Sequence, residues 1–423
     1  MRKTLDDKLD ALRANPAAPV FILADAKDAD MAHGLAAPGR SPESHAAEGR
    51  FRSLAEYREQ MRLITQQAAV DIMLMSASSN SMLTIEERLF DDSTVTPAVR
   101  ANDTSDIHLA RGALYPQTAS RPFRTASLDH IQCGRLDCDP SERNIGANLG
   151  LYSVTFNNDI ERDIDTLTRF NLFREEAERK GFRYFLEVFD PNLPHAIDPS
   201  KLAGYINDMI ARMLAGVAPA GRPLFLKMVY HGPKALEELV HYDPTLIVGV
   251  LGGGAGTTRD AFQLLHDAKQ YGAKVALFGR KINAAENQLA FVRFLRLIAD
   301  GELGPVEAVK AYHAVLSKLG LKPTRPLADD LTLTETATSY AGTGRSGAVA
   351  VPPMPAAAPA PTSNANAHAC RCHEHAHTVE TAPAPVAQPT ANGVLTSRDG
   401  RPDFARMDVA ERLAYHRKRL GLG

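Results

Sequence analysis

The chain has almost no surplus charge of either sign. Its 48 Lys and Arg stand against 50 Asp and Glu, a formal net charge of -2, so neither nucleic acid nor an anionic membrane surface is expected as a partner. Cysteine is scarce: Cys133 and Cys138, then Cys370 and Cys372, are too few and too clustered for a disulfide framework. That usage fits a reducing cytoplasm. Long apolar runs are missing too. MRKTLDDKLDALR holds no apolar stretch of signal-peptide length, and no later run approaches the roughly 18 residues of a membrane span. No internal repeat of useful length is visible. The expectation is a soluble chain of 423 residues acting on a small molecule, long enough for one large α/β domain with appendages or for two ordinary domains.

What is present is a series of short apolar runs alternating with helical patterns, the signature of a parallel sheet with crossover helices. Eight runs can be counted: residues 20–25, 70–76, 96–102, 149–156, 183–189, 223–229, 245–251 and 274–279. Eight strands with intervening helices predict a closed (β/α)8 TIM barrel over residues 15–325. Helices are predicted at about 160–180, 257–271, 286–300 and 305–319; the third of the eight runs and its surroundings are the least distinct. Residues 103–148 are too long and polar for a simple connection, and predict an excursion after the third strand beside the barrel mouth. Residues 326–395 read as a disordered linker, being Ala/Pro-rich in stretches such as PPMPAAAPAPTSNANA. Beyond it, residues 396–423 regain helical periodicity. Phe404, Val409, Leu413 and Leu420 form an apolar face and Arg406, Arg412, Arg417 and Lys418 a basic one, the form of an amphipathic docking helix for a protein partner. Its layout resembles the encapsulation peptides of bacterial microcompartment enzymes, which adds a microcompartment to the expected cytoplasmic location.

One lysine interrupts the sixth run. In PLFLKMVY, alternation puts Phe225, Lys227 and Val229 on one face, and lysine is almost never buried without a partner or a task. Catalytic groups of a (β/α)8 barrel lie at the C-terminal strand ends. There the first run ends in Asp25, followed by Lys27 and Asp28, while the fifth carries Glu187 with Asp190 after it. Phe185, Glu187 and Phe189 share one face, and Phe21, Leu23 and Asp25 another. Apolar surroundings lower a lysine pKa and so supply a neutral amine that can attack a carbonyl, while a nearby carboxylate moves protons. The alternative is a structural ion pair of Lys227 with Glu187 or Asp25.

The seventh run leads through LGGGAGTT into a helix, and the eighth ends in FGRK. Gly253 and Gly254 permit close backbone approach, the helix N-terminus beyond them offers N–H groups, and Arg280 can hold the same anion. Loops after strands seven and eight are the recurrent phosphate site of this fold.

In this order, Asp25, Glu187, Lys227, a glycine loop and a Gly-Arg pair, the chain resembles the class I aldolases of the DeoC/LacD superfamily over residues 15–320. It is most similar to tagatose-bisphosphate aldolase and archaeal-type fructose-bisphosphate aldolase. The resemblance implies Lys227 as the Schiff-base lysine, Glu187 and Asp25 in proton transfer and orientation, and Gly253, Gly254 and Arg280 around a substrate phosphate. Where archaeal-type enzymes carry a tyrosine acid, Phe189 stands here, so Glu187 takes that part, as in the tagatose type. The substrate expected is a sugar phosphate and the assembly a homo-oligomer. No cofactor or metal is expected, because an iminium serves as the electrophile. A phosphate-ligand binding or scaffold protein and a phosphosugar isomerase or epimerase are the alternatives.

Two further clusters carry ligand-type side chains. HACRCHEHAH, 368–377, offers two thiols and four imidazoles within the linker, suited to Zn or Cu. Cys133 and Cys138, in QCGRLDC, lack a second ligand pair nearby and read as ordinary loop thiols.

Overall fold

The computed structural model describes residues 1–39, 51–253 and 256–334, with the isolated positions 406 and 411. The proposed linker from 335 onward, its His/Cys cluster and the C-terminal helix lie outside these residues. So does Gly254.

Eight parallel strands close into a barrel: β1 (Ile22–Lys27), β2 (Ile72–Met75), β3 (Thr96–Arg100), β4 (Leu149–Thr155), β5 (Arg183–Phe189), β6 (Leu226–Met228), β7 (Gly249–Leu251) and β8 (Val275–Phe278). They follow one another around the ring in chain order, and β8 returns to pair with β1, Ile22 opposite Val275. Each strand matches one of the eight apolar runs. Alternation divides their side chains into two layers. Ile22, Ala24, Ile72, Leu74, Ala98, Leu149, Leu151, Phe185, Phe225, Val275 and Leu277 fill the interior. Leu23, Met73, Val99, Tyr152, Leu186, Met228 and Ala276 pack outward with the helices. Phe185 and Phe225 stack with ring centroids 4.6 Å apart, a contact worth about 1 kcal/mol beyond its buried area. On the neighbouring strand β7 only hydrogen fits at position 249: a Cβ there would lie 2.5 Å from the Leu226 carbonyl oxygen and 2.7 Å from the Val275 Cβ.

The barrel helices fall where the periodicity places them, at Ile160–Arg179, Thr258–Gln270, Gln288–Asp300 and Pro305–Lys318. The Thr257–Asp260 capping box is formed in full, each side chain accepting from the other residue's backbone N–H.

Two boundaries differ from those read off the sequence. The helix Thr4–Ala14 belongs to the barrel: Leu5, Leu9 and Leu12 join the interior cluster and close the end of the barrel opposite the strand C-termini. Lys8 fixes it there through Asp71, 2.7 Å away. At the other boundary, residues 327–334 pack on the helix Thr258–Gln270. Asp330 Oδ1 accepts from the Thr258 N–H at 2.7 Å, the Thr332 carbonyl accepts from Thr257 Oγ1 at 2.8 Å, and the Thr334 N–H donates to Asp260 at 2.8 Å.

The excursion after β3 is ordered. It contains a two-stranded antiparallel ribbon, Asp103–Thr104 with Pro122–Phe123, and a short helix, Leu128–Cys133, capped by Ser127. Asn157 and Asn192 tie its Ser120 N–H to the loops after β4 and β5. Among the described residues, no helix is long and apolar enough to cross a membrane.

Candidate active site

The strand register sets Glu187 of β5 directly beside Lys227 of β6. Both lie on the inward face, one step above the stacked Phe185–Phe225 pair and one below Phe189 and Val229, which form a small apolar cluster at the mouth with Ala32, Ile107 and Leu251. Lys227 Nζ and Glu187 Oε1 form a direct ion pair, 6 % and 2 % exposed as residues. The other oxygen, Oε2, accepts from Ser153 Oγ of β4 at 2.6 Å and from Arg100 of β3 at 3.3 Å. Arg100 also donates to Asp28 and, at 3.0 Å, to Ser153. Asn102 fixes Ser153 by exchanging hydrogen bonds with its backbone, at 2.6 and 2.8 Å. Glu187 is thus clamped on one oxygen and joined to the lysine on the other.

These charges have little water, so each one depends on its partners. Burial lowers the pKa of Arg100, but Asp28, Glu187 and Asp103 outweigh it and hold the guanidinium above its ordinary value. Asp103 is buried 3 % exposed with Oδ1 unpartnered. Burial pushes its carboxyl up to about 6, with Arg100 opposing and Asp28, Asp30 and Glu187 adding to the shift. His33, in the cleft wall, is lowered to about 4 by burial and by Arg280 and is neutral at pH 7.

Asp103 gives a pH-dependent stability of definite sign. A carboxyl with a raised folded-state pKa favours folding fully below its unfolded value of 3.8, and that favour is lost as pH rises through 6. Asp103→Asn is therefore expected to stabilise the protein at pH 8 by about 2 to 3 kcal/mol and to change little at pH 3.5 or so. Urea titrations at the two pH values measure this, and equal effects at both would show that ionisation of Asp103 is not responsible.

The cleft spans about 570 Å³ with the open solvent at its mouth included, and its walls include Asp28, His33, Arg100, Glu187, Lys227, Gly252, Gly253, Gly279 and Arg280. Lys227, Glu187, Gly253 and Arg280 are therefore brought together. Asp25 is not with them. It shares the outward side of β1 with Leu23, pairs with Lys27 at 3.0 Å, and both side chains are fully buried. Burial raises the Asp25 carboxyl and lowers the Lys27 amine, with their mutual attraction opposing each shift. At the cleft the strand-one carboxylate is Asp28.

The glycine loop also differs in one respect. Gly253 has φ +58°, which glycine adopts without strain. The helix beyond it is already capped, because the N–H groups of Thr257, Thr258 and Asp260 go to Asp260, Asp330 and Thr257 respectively. An anion here would meet the loop backbone and Arg280 rather than that helix end. Gly279 leaves no room for a side chain, since a Cβ would lie 2.6 Å from the Ala26 carbonyl oxygen.

Reading the sequence missed Arg100, Ser153, Asn102 and His33 and gave no role to Asp28. A signal existed for two of them. Arg100 has the same parity as the interior residue Ala98, and Ser153 the same as Leu149 and Leu151.

No protein-family model and no curated protein matches the chain. Solved structures do. A fructose-bisphosphate aldolase from Slackia heliotrinireducens aligns over 73% of this chain and 91% of its own at 13% identity, with a TM-score of 0.51. A Schiff-base-forming fructose-1,6-bisphosphate aldolase aligns over 69% and 99% at 15% identity, with a TM-score of 0.49. An archaeal fructose-1,6-bisphosphate aldolase, with its catalytic lysine bound to the carbinolamine intermediate, aligns over 70% and 100% at 16% identity and TM-score 0.49. The likeness to the first of these, at 13% identity, bears on the fold alone, the closed eight-stranded parallel barrel.

Proposed function

We propose that the protein is a class I aldolase that cleaves or forms a phosphorylated ketose through a Schiff base on Lys227. The observation that carries this reading is the inward Lys227–Glu187 pair, with one Glu187 oxygen held by Ser153 and Arg100 and the other facing the amine. Glu187 Oε1 accepts a proton as the amine attacks the substrate ketone. Loss of water from the carbinolamine gives an iminium. The bond between the substrate's α and β carbons then breaks, its electron pair moving to the iminium to form an enamine, while Glu187 takes the proton of the β-hydroxyl. Protonation of the enamine and hydrolysis return the free lysine. Arg100 and Ser153 keep the carboxylate oriented throughout.

Gly253 and Arg280 are proposed to hold the substrate phosphate, with Gly254 assigned from the sequence alone. Asp25, paired with Lys27 behind the strand, is proposed to support β1 rather than to meet substrate, and Asp28 to take the orienting part at the cleft. Arg280→Ala is expected to raise KM for phosphorylated substrates roughly 10- to 150-fold with a far smaller change in kcat. A remote contact made equally in ground and transition states acts as uniform binding, and one charge-assisted bond is worth about 1.5 to 3 kcal/mol. An unchanged KM in steady-state assays would take Arg280 out of the site.

The same ion pair also favours a second reading, a phosphate-ligand binding protein in which Lys227 is only a structural partner of Glu187. Borohydride reduction in the presence of a panel of ketose phosphates, followed by peptide mass mapping, separates the two. A reduced adduct on Lys227 together with a cleavage product supports the aldolase. Phosphate-ligand binding without adduct or turnover supports the second reading. Interconversion of ketose and aldose phosphates without cleavage would indicate an isomerase.

A further inference from the structure

The excursion after β3 ends in a turn that brings three ligand-type side chains together far from Lys227. Cys133 closes the helix Leu128–Cys133, Gly134 turns the chain at φ +83°, and Asp137, at φ +56°, returns it so that Cys138 faces Cys133. Asp139 then caps a single helical turn, Pro140–Glu142, which carries Glu142 back to the thiols. The two sulfurs and a Glu142 carboxylate oxygen all lie within 4.8 Å of one another. We propose that Cys133, Cys138 and Glu142 form a structural site for a thiophilic divalent cation of the zinc type.

Several observations support the site. Both cysteines are buried and free, and a pair of sulfurs plus one oxygen within this span fits a tetrahedral ion with Zn–S bonds of about 2.3 Å and one Zn–O bond of about 2.0–2.2 Å. Glu142 is already oriented. Its Oε2 accepts from Arg135 at 2.6 Å and from the Asp139 N–H at 3.3 Å, an outer contact of the kind that fixes a carboxylate ligand and leaves Oε1 for the ion. The surroundings also account for a need. Residues 103–148 contain only a ribbon of two two-residue strands, one six-residue helix and single turns, and segments with so little regular structure are commonly pinned by a metal. Gln132 connects the site to the barrel, donating to Asn148 at 2.9 Å and to the Lys180 carbonyl at 3.3 Å. Lys180 ends the helix before β5 and Asn148 precedes β4, so the site lies at the strand N-termini, the end away from the cleft.

Binding releases the two thiol protons to solvent and changes no oxidation state: two thiols, one carboxylate and one cation give two metal–thiolate bonds and one metal–carboxylate bond. A water molecule completes the tetrahedron. Because the ion displaces protons from the ligands it binds, uptake of metal should weaken as pH falls.

The test must separate this site from the Cys370 and Cys372 thiols of the same chain, so it is resolved by peptide. The reduced, metal-stripped full chain is alkylated with iodoacetamide with and without one to two equivalents of zinc, and labelling is followed on each cysteine peptide. Zinc is expected to slow labelling of Cys133 and Cys138 together by at least tenfold, and a chelator to reverse it. Glu142→Gln, half-exposed and remote from the core, is expected to weaken this protection at least tenfold while leaving the metal-free protein equally stable. The Cys133→Ser/Cys138→Ser chain is expected to bind one equivalent less of cobalt(II), with loss of a tetrahedral absorption band. Labelling of Cys133 and Cys138 at rates indifferent to zinc would overturn the proposal. So would a Cys133–Cys138 disulfide, two mass units lighter, in protein purified under reducing conditions.

Discussion

Lys227→Met is expected to abolish covalent trapping and to lower carbon–carbon cleavage by on the order of 10⁴-fold or more. That is a loss of roughly 5 kcal/mol or more of transition-state stabilisation. The size follows from what the amine does, because it is both the nucleophile and, as iminium, the acceptor of the bonding electrons. Among the described residues no other lysine lines the cleft: Lys27, on β1 three strands round the ring, is turned outward and held by Asp25. Methionine retains much of the lysine stem's volume, and Glu187 keeps Ser153 and Arg100, so the variant should remain folded. Circular dichroism and a urea titration establish that, after which initial rates on the same ketose phosphate decide the matter. Cleavage within tenfold of the parent would sink the Schiff-base mechanism.

Arg100→Ala is expected to cost about 3 to 5 kcal/mol of stability, as removing one partner of a buried charge cluster does. The guanidinium is 5 % exposed and touches Asp28, Ser153 and Glu187. Its loss strands the Asp28 carboxylate and takes one of three partners from Glu187, which keeps Ser153 and Lys227. Adding Asp28→Asn should recover part of the loss, since it removes the stranded charge; the two residues are then coupled rather than additive. Urea unfolding of the single and double variants measures the coupling. A cost below about 1 kcal/mol would place Arg100 among exposed pairs of small effect.

The strands were readable because parallel strands are buried on both faces and appear as unbroken apolar runs. The same property explains the error at Asp25. On β1 both parities are apolar, Ile22 and Ala24 on one side and Leu23 on the other. Alternation says which residues share a side but not which side is inward. On β5 and β6 the interior pair Phe185 and Phe225 stands on the side of the only charges in those runs, so parity with them marks that side. The capped helix end at Thr258 was hidden for a different reason. Its partner Asp330 lies 72 residues further along the chain, and no local pattern reports such a contact. The leucines of the first helix were in view at helical spacing, but a helix of 11 residues gains its stability only from the barrel end it covers.

Ring closure has a consequence for how the chain folds during synthesis. The first strand finds its last neighbour when Ile22 meets Val275, about 250 residues later. At roughly 5 to 20 residues per second, the ribosome takes about 12 to 50 seconds to deliver that partner. Throughout that interval one edge of β1 offers unpaired backbone groups, and Leu5, Leu9 and Leu12 have only part of their eventual cover. The first strand of the barrel to be made is thus among the last to be completed, and the growing polypeptide carries an open strand edge and an apolar helix face until β8 is released.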